Sequence, residues 1–184
     1  MEGTTDRRTQ ILDVAARLFA ERGFHGVSVG DIGKAVGVSG PALYKHFDSK
    51  DAVLAEMLVA ISERLLAEGQ DRVARAGDAD AAIAALVDWH VEFALAQPAL
   101  IVVQDRDWQS LPREARERVR SLQREYVDLW ADQLRRLDPD LPLDRARAMA
   151  HAAFGLINST PHSSLLPGGA MRDLLAQMAL RSLS

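Results

Sequence analysis

No cysteine occurs in the 184 residues. Disulfides, thiolate zinc sites and a cysteine nucleophile are therefore excluded. Aromatic residues make up only 5% of the chain, so the three tryptophans stand out as markers of a core or a pocket. Lysine is scarcer still: Lys34, Lys45 and Lys50 are the only three, all within the first fifty residues. Long apolar runs are also missing. The longest stretch without Asp, Glu, Lys or Arg, residues 148–171, holds Asn158, Ser159, Thr160, Pro161, two histidines and Gly168-Gly169. That composition excludes a membrane span. The opening MEGTTDRRTQ has no apolar run of signal-peptide length, so a cytoplasmic protein without a membrane partner is expected. What is present is ordinary: 48% hydrophobic and 26% charged residues. One soluble domain, or one with a small appendage, is expected, long enough to bury a core unaided.

Charge is distributed unevenly. The formal net charge is −4, which argues against wholesale coating of nucleic acid. Residues 1–50 nevertheless hold seven Lys or Arg against six Asp or Glu, whereas residues 51–184 hold fifteen against twenty. Local phosphate binding depends on which face carries the cations, not on the total.

Apolar residues recur at helical spacing nearly throughout, and no period-two strand is present. The pattern predicts an all-α fold of about nine helices, at residues 6–22, 29–36, 39–46, 48–75, 80–97, 100–110, 112–137, 143–158 and 170–182. Gly23 follows the first as a C-cap. Ser28 caps the second, with Asp31 at the capping-box position. Asp48 is expected to cap the fourth, and Pro98 to end the fifth.

The second and third helices have the makings of a helix-turn-helix. Gly37 supplies positive φ at the turn, Val38 pins the turn to the core, and Ser39 caps the helix that follows. Ser39, Gly40, Pro41 and Ala42 are small enough to enter a major groove. Tyr44, Lys45, His46 and Lys50 then offer hydroxyl, imidazole and ammonium donors for phosphate. The start of the fourth helix near Ser49-Lys50 adds the helix dipole.

The segment GFHGVSVGDIGKAVGVSGPALYKHFDSKDAVL resembles the N-terminal domain of TetR-family transcriptional regulators. The likeness runs from Thr9 to Leu58 through ILDVAARLFAERGF, Ser28, Ile32, Gly37-Val38-Ser39, LYKHF at 43–47 and SKD at 49–51. Gly33 and Val36 depart from the alanines usual there. The resemblance implies a three-helix DNA-binding domain at 1–50 and a larger ligand-binding and dimerisation domain at 51–184. It also implies a homodimer that binds pseudo-palindromic double-stranded operator DNA and lets go when a small effector binds. Carried over residue by residue, 39–46 is the recognition helix. Ser28, Tyr44, His46 and Lys50 hold phosphates, and Gly40, Pro41, Ala42 and Lys45 approach base edges. Arg7 and Arg8 lie where they can reach backbone or minor groove.

Beyond residue 50 the reading rests on residue types. Trp89, His90, Phe93, Asp105, Trp108, Tyr126, Trp130 and Asn158 combine aromatic surface with a few polar groups, as small-ligand pockets do. Arginines along the seventh helix suit a phosphate-bearing lipid-like effector such as an acyl-CoA, although i,i+4 pairing with acids is their default role. Two apolar stripes, Met149, Ala153, Phe154 and Ile157 on one helix and Met171, Leu174, Leu175 and Met178 on the last, predict a dimer seam. No cofactor and no metal site is expected. Two other classes fit less well: a hydrolase, for which no nucleophile elbow, phosphate loop or HExxH exists, and a helical interaction module without DNA binding, which leaves the cluster at 44–50 unexplained.

Overall fold

Every regular element is helical among residues 2–38, 40–163 and 165–183, which the computed structural model describes. In chain order they are α1 (Glu2–Arg22), α2 (Val29–Val36), α3 (Gly40–Leu43), α4 (Lys50–Arg75), α5 (Ala79–Ala96), α6 (Pro98–Asp107), α7 (Arg113–Leu137), α8 (Leu143–Ile157), α9 (Thr160–Ser163) and α10 (Gly168–Ser182). A 3₁₀ turn, Trp108–Ser110, follows α6. No single helix among them is long and apolar enough to cross a membrane.

The chain divides into two compact units. The first comprises residues 1–61 and 99–119, the second 62–98 and 120–184.

In the first unit, α1 buries Ile11, Ala15 and Phe19 against Ile32 and Val36 of α2, Leu43 of α3, and Val53, Leu54, Met57 and Leu58 of α4. Val103, Leu111 and Val119 join the same core from a distant part of the chain. Phe19 is fully buried and meets Phe24 edge-on at 5.4 Å. Gly23 ends α1 at φ +78°, and its N–H donates to the Phe19 carbonyl at 2.8 Å. The Arg106 guanidinium closes the same helix end by donating to the carbonyls of Phe19 and Ala20. A cation is favourable at a C-terminus, where carbonyls lack helical partners.

The capping box of α2 forms as the sequence predicts. The Asp31 N–H donates to Ser28 Oγ at 3.1 Å and the Ser28 N–H to Asp31 Oδ2 at 2.8 Å. These bonds hold the Asp31 carboxyl below its ordinary pKa. Gly37 takes φ +78°, and the Val38 N–H reaches back to the Gly33 carbonyl at 2.8 Å. Two expectations are corrected. The third helix is a single turn; residues 44–46 continue as turns, with Lys45 and His46 N–H bonded three residues back. The cap of α4 is Ser49, not Asp48: the Ala52 N–H donates to Ser49 Oγ at 3.0 Å.

In the second unit, α5 starts at Ala79 because Asp78 caps it, its Oδ1 accepting from the Ala81 N–H at 2.8 Å. Pro98 opens α6, two residues before the predicted start, at a position where its missing N–H costs nothing. Helices α5, α8 and α10 pack against one another. The buried stripe of α8 is Ala146, Ala150, Ala153 and Ile157; that of α10 is Met171, Leu175 and Ala179, with Leu183 just beyond. Ala153, Ile157, Met171 and Leu175, expected at a dimer seam, are thus turned into the protomer's own core. Small alanines let α8 approach its neighbours closely, and only tertiary packing decides which face does so. Residues 160–163, expected to be irregular, form one helical turn whose Thr160 hydroxyl donates to the Ala94 carbonyl at 3.1 Å.

Candidate DNA-contact segment and ligand site

Each unit holds one group of predicted functional residues. In the first, Gly37 turns the chain so that α3 and residues 44–46 follow α2 directly. Tyr44 is 54% exposed, Lys45 is exposed, and Ala42 and His46 are half-buried. Gly40 and Pro41 form the first turn of α3; Ser39 lies outside the described residues. Ser28 is exposed while its hydroxyl caps α2.

Two cations expected near phosphate do structural work here. Lys50 Nζ donates to the carbonyls of Phe24 at 2.7 Å and Val27 at 2.8 Å, and lies 4.2 Å from the Phe24 ring centroid. It fastens the α1–α2 connection to the start of α4. Arg8 pairs with Glu56 through two bonds, donates to the His46 carbonyl and covers the Phe47 ring at 4.2 Å. The Glu56 pairing raises its already high pKa. Arg8 therefore holds the end of the Tyr44–His46 turn in place. Arg7 bonds to Gln10 at 3.0 Å and to the Val36 carbonyl at 3.4 Å. No sequence signal marked Glu56; its spacing from Arg8 is visible only in three dimensions.

In the second unit, His90, Phe93, Tyr126, Trp130 and Asn158 come together. His90 is 3% exposed. Its Nε2 lies 3.1 Å from Asn158 Oδ1 and its Nδ1 3.4 Å from the Tyr126 hydroxyl. Asn158 Oδ1 can only accept, so Nε2 carries the proton and Nδ1 accepts from Tyr126. Burial pushes the His90 pKa down to about 4, so the ring is neutral. Burial also raises the Tyr126 phenol above its ordinary range, keeping it a donor.

Phe154, expected at a dimer seam, instead stacks on His90 at 4.6 Å and on Tyr126 at 5.5 Å. Trp130 meets the stack edge-on, and its buried indole N–H acts on the Tyr126 hydroxyl without a well-directed hydrogen bond. Trp89 does not join this stack. It donates to the Leu65 carbonyl at 3.2 Å and lies between Arg64 and Arg72, bracing α5 on α4. Asp105 and Trp108 belong to the first unit, Asp105 exposed and Trp108 packed on that unit's core. The buried acid of that segment is Asp107, paired with Arg106. Among the described residues, no three His, Asp or Glu side chains converge as a metal site.

Comparison with known proteins places this architecture. A model of bacterial regulatory proteins of the tetR family matches residues 11–57, and one of a tetracyclin repressor-like C-terminal domain matches residues 76–162. The chain is 35% identical over 129 residues to the HTH-type transcriptional repressor KstR2 of Rhodococcus jostii, an alignment covering 70% of this chain and 63% of that protein. The fold matches a TetR-family transcriptional regulator from Bordetella parapertussis with a TM-score of 0.84 at 28% identity, covering 96% of this chain and 93% of the other. It also matches the transcriptional regulator FadR from Bacillus subtilis in complex with stearoyl-CoA, with a TM-score of 0.74 at 17% identity over 95% and 98% of the two chains. The chain belongs to the TetR family of bacterial regulatory proteins.

Proposed function

We propose that this protein is a non-catalytic, cytoplasmic transcriptional repressor that binds pseudo-palindromic operator DNA as a homodimer and releases it when a lipid-like effector binds. One observation carries the DNA half of this reading. The Tyr44–Lys45–His46 edge is exposed immediately after a helix-turn-helix whose turn, cap and trailing backbone are all fastened from within. Such an edge enters DNA without reorganising, so little affinity is lost to ordering. In this reading residues 1–50 bind DNA. Gly40, Pro41, Ala42 and Lys45 approach base edges, Ser28, Tyr44 and His46 hold phosphates, and Ser39, outside the described residues, keeps its sequence assignment to the recognition helix. Lys50 acts by holding the α1–α2 connection.

Residues 51–184 bind the effector and the second copy. The ring stack around His90 supplies apolar surface with three polar groups, the usual make-up of a selective small-ligand site. A lipid-like effector is also in keeping with the stearoyl-CoA bound by the Bacillus subtilis neighbour. The dimer surface is the outer side of α8 and α10. There Leu174 and Met178 are 39% and 45% exposed, Met149 is half-buried, and Ala148, Ala152 and Gly155 leave room for a neighbouring helix.

The test is a mobility shift with DNA from upstream of the protein's own gene, across a salt series. A specific shift that weakens with salt is expected, and Lys45→Ala should flatten the salt slope by about one counterion without changing the melting temperature. Failure to select any DNA from a whole-genome library with ligand-free protein defeats the reading.

A further inference from the structure

The Tyr44–His46 turn closes tightly on itself. The Lys45 N–H donates to the Ala42 carbonyl at 3.3 Å, and the His46 and Phe47 N–H groups both return to the Leu43 carbonyl, at 2.9 Å and 3.1 Å. The His46 carbonyl lies at the end of this turn, where helical donors run out. Arg8 supplies the donor from α1, through Nη1. The same guanidinium lies 4.2 Å from the centroid of the buried Phe47 ring.

Glu56 aims Arg8. Arg8 Nε and Nη2 donate to the two Glu56 carboxylate oxygens, which leaves Nη1 for His46. A guanidinium is flat and rigid, so a carboxylate that holds one edge of it fixes the direction of the remaining N–H groups. Glu56 is placed in turn by α4, whose Val53, Leu54, Met57 and Leu58 are buried in the first unit's core. Asp48 adds a second negative charge that acts on Arg8. The Arg8 and Glu56 side chains are 42% and 35% exposed, so their ion pair adds little to stability. What it supplies is direction.

We propose that Glu56 is a positioning residue for operator recognition: through Arg8 it fixes the carbonyl end of the Tyr44–His46 edge, and so sets how well the protein separates its operator from other DNA. The inference rests on the operator-binding reading above and adds a residue to it that lies outside the helix-turn-helix. The sign of the effect separates placement from electrostatics. Glu56 is an acid in the first unit, and Coulombic attraction alone predicts that removing it tightens binding to any duplex. Placement predicts the opposite for the operator, because base-edge contacts depend on register and general phosphate attraction does not. Arg8, held by Glu56 and His46, is withheld from phosphate.

Fluorescence anisotropy with the full-length protein tests this on two labelled duplexes of equal length: the segment upstream of its own gene that wild type shifts, and a random sequence. Glu56→Gln keeps the size of the side chain and loses its charge. Arg8→Lys keeps the charge and loses the fork. Each should lower affinity for the upstream duplex about tenfold, leave affinity for the random duplex at or above the wild-type value, and leave the melting temperature close to wild type. Because the two residues act in series, the double variant should bind no more weakly than the worse single variant. Loss of folded protein weakens binding to both duplexes alike, so the ratio of the two affinities is the deciding readout. Three results overturn the proposal. Glu56→Gln could bind the upstream duplex as tightly as wild type or more tightly, which is the Coulombic outcome and frees Arg8 for phosphate. Both duplexes could lose affinity in step, which makes the pair a support of the fold alone. The losses of the single variants could add in the double variant, which makes the two residues independent. The broader reading fails differently: a wild-type protein that selects no DNA from a whole-genome library has no operator for Glu56 to serve, and both readings fall together.

Discussion

The two units solve the burial of polar groups in opposite ways. In the first, the buried side chains are almost wholly apolar, and three cations at its margin are spent on backbone carbonyls: Arg8 on His46, Lys50 on Phe24 and Val27, and Arg106 on Phe19 and Ala20. Each carbonyl lies at a helix end or in a connection, where a helical partner is missing. In the second unit the polar atoms are in the middle. His90 is neutral between Tyr126 and Asn158, and the Trp130 N–H acts on the Tyr126 hydroxyl. A fastened edge suits a surface that must meet a long repetitive polymer in one register. A centre of neutral polar groups set among apolar rings suits a site that takes up a small ligand.

The largest effect expected from breaking this contrast is at Phe19. It is fully buried beneath α2 and against Phe24. Phe19→Ala should cost about 3–5 kcal/mol, measured by urea denaturation, and abolish operator binding. Lys50→Met comes next. It keeps the stem and removes the ammonium that bonds two carbonyls. A loss of about 1.5–3 kcal/mol is expected, with weakened DNA binding that follows the lost stability. If Lys50→Met instead leaves the melting temperature unchanged and removes only DNA affinity, Lys50 is a contact residue and the contrast with Tyr44 and Lys45 fails.

How much of this was legible beforehand depends on the range of the chemistry. Gly37, the Ser28–Asp31 box and the Gly23 terminus act within a few residues of themselves, and each formed as its local rule predicts. The Lys50 and Arg106 anchors join residues far apart in sequence, and nothing in their neighbourhoods distinguishes them from solvated cations. Phe154 shows the same limit on a helix. Its place on an apolar stripe was visible, but Ala150 and Ala153 determine which side of α8 closes on the protomer, and that turns Phe154 towards His90. The one-turn α3 is a third case. Its sequence allowed eight helical residues, and the bonds from Lys45 and His46 to carbonyls three residues back tighten it early.

The polar centre of the second unit also predicts a pH dependence of its own, between the ordinary and the folded pKa of His90. His90 has a pKa of about 4 when folded, against 6.5 when exposed. Above about pH 6.5 it is neutral in both states and its stabilising contribution is fully present. As the pH falls from 6.5 towards 4 the unfolded chain takes up a proton that the folded one refuses. Stability should then decline with a slope approaching about 1.4 kcal/mol per pH unit, levelling off below the folded value. Replacing His90 with phenylalanine keeps a ring in the stack and removes the titration. The slope contributed between pH 6.5 and 4 should vanish in His90→Phe, read from urea midpoints at each pH; a slope unchanged from wild type shows that other groups carry it.

The smallest expected effect is at Gly69, where the same ring stack meets α4. Glycine inside a helix ordinarily costs close to 1 kcal/mol relative to alanine, so Gly69→Ala should stabilise α4 if space were open. It is not open. A Cβ there would lie 2.8 Å from Tyr126 Cε2, 3.1 Å from Leu129 Cδ2 and 3.3 Å from Leu86 Cδ2. The leucine methyls can give by a few tenths of an ångström. The Tyr126 ring has less freedom, because it is stacked on Phe154 and its hydroxyl faces His90. Overpacking of this kind costs about 1–3 kcal/mol, which offsets the gain in helix propensity and leaves a net loss of about 1 kcal/mol. The more telling readout is local. Moving Tyr126 lengthens its contact with His90 Nδ1, so the imidazole pKa, followed by NMR, should shift from its wild-type value in Gly69→Ala. A stabilised variant with an unmoved His90 resonance would mean that the ring stack has slack on the α4 side. The second unit's centre would then be a looser assembly than the distances around Gly69 imply.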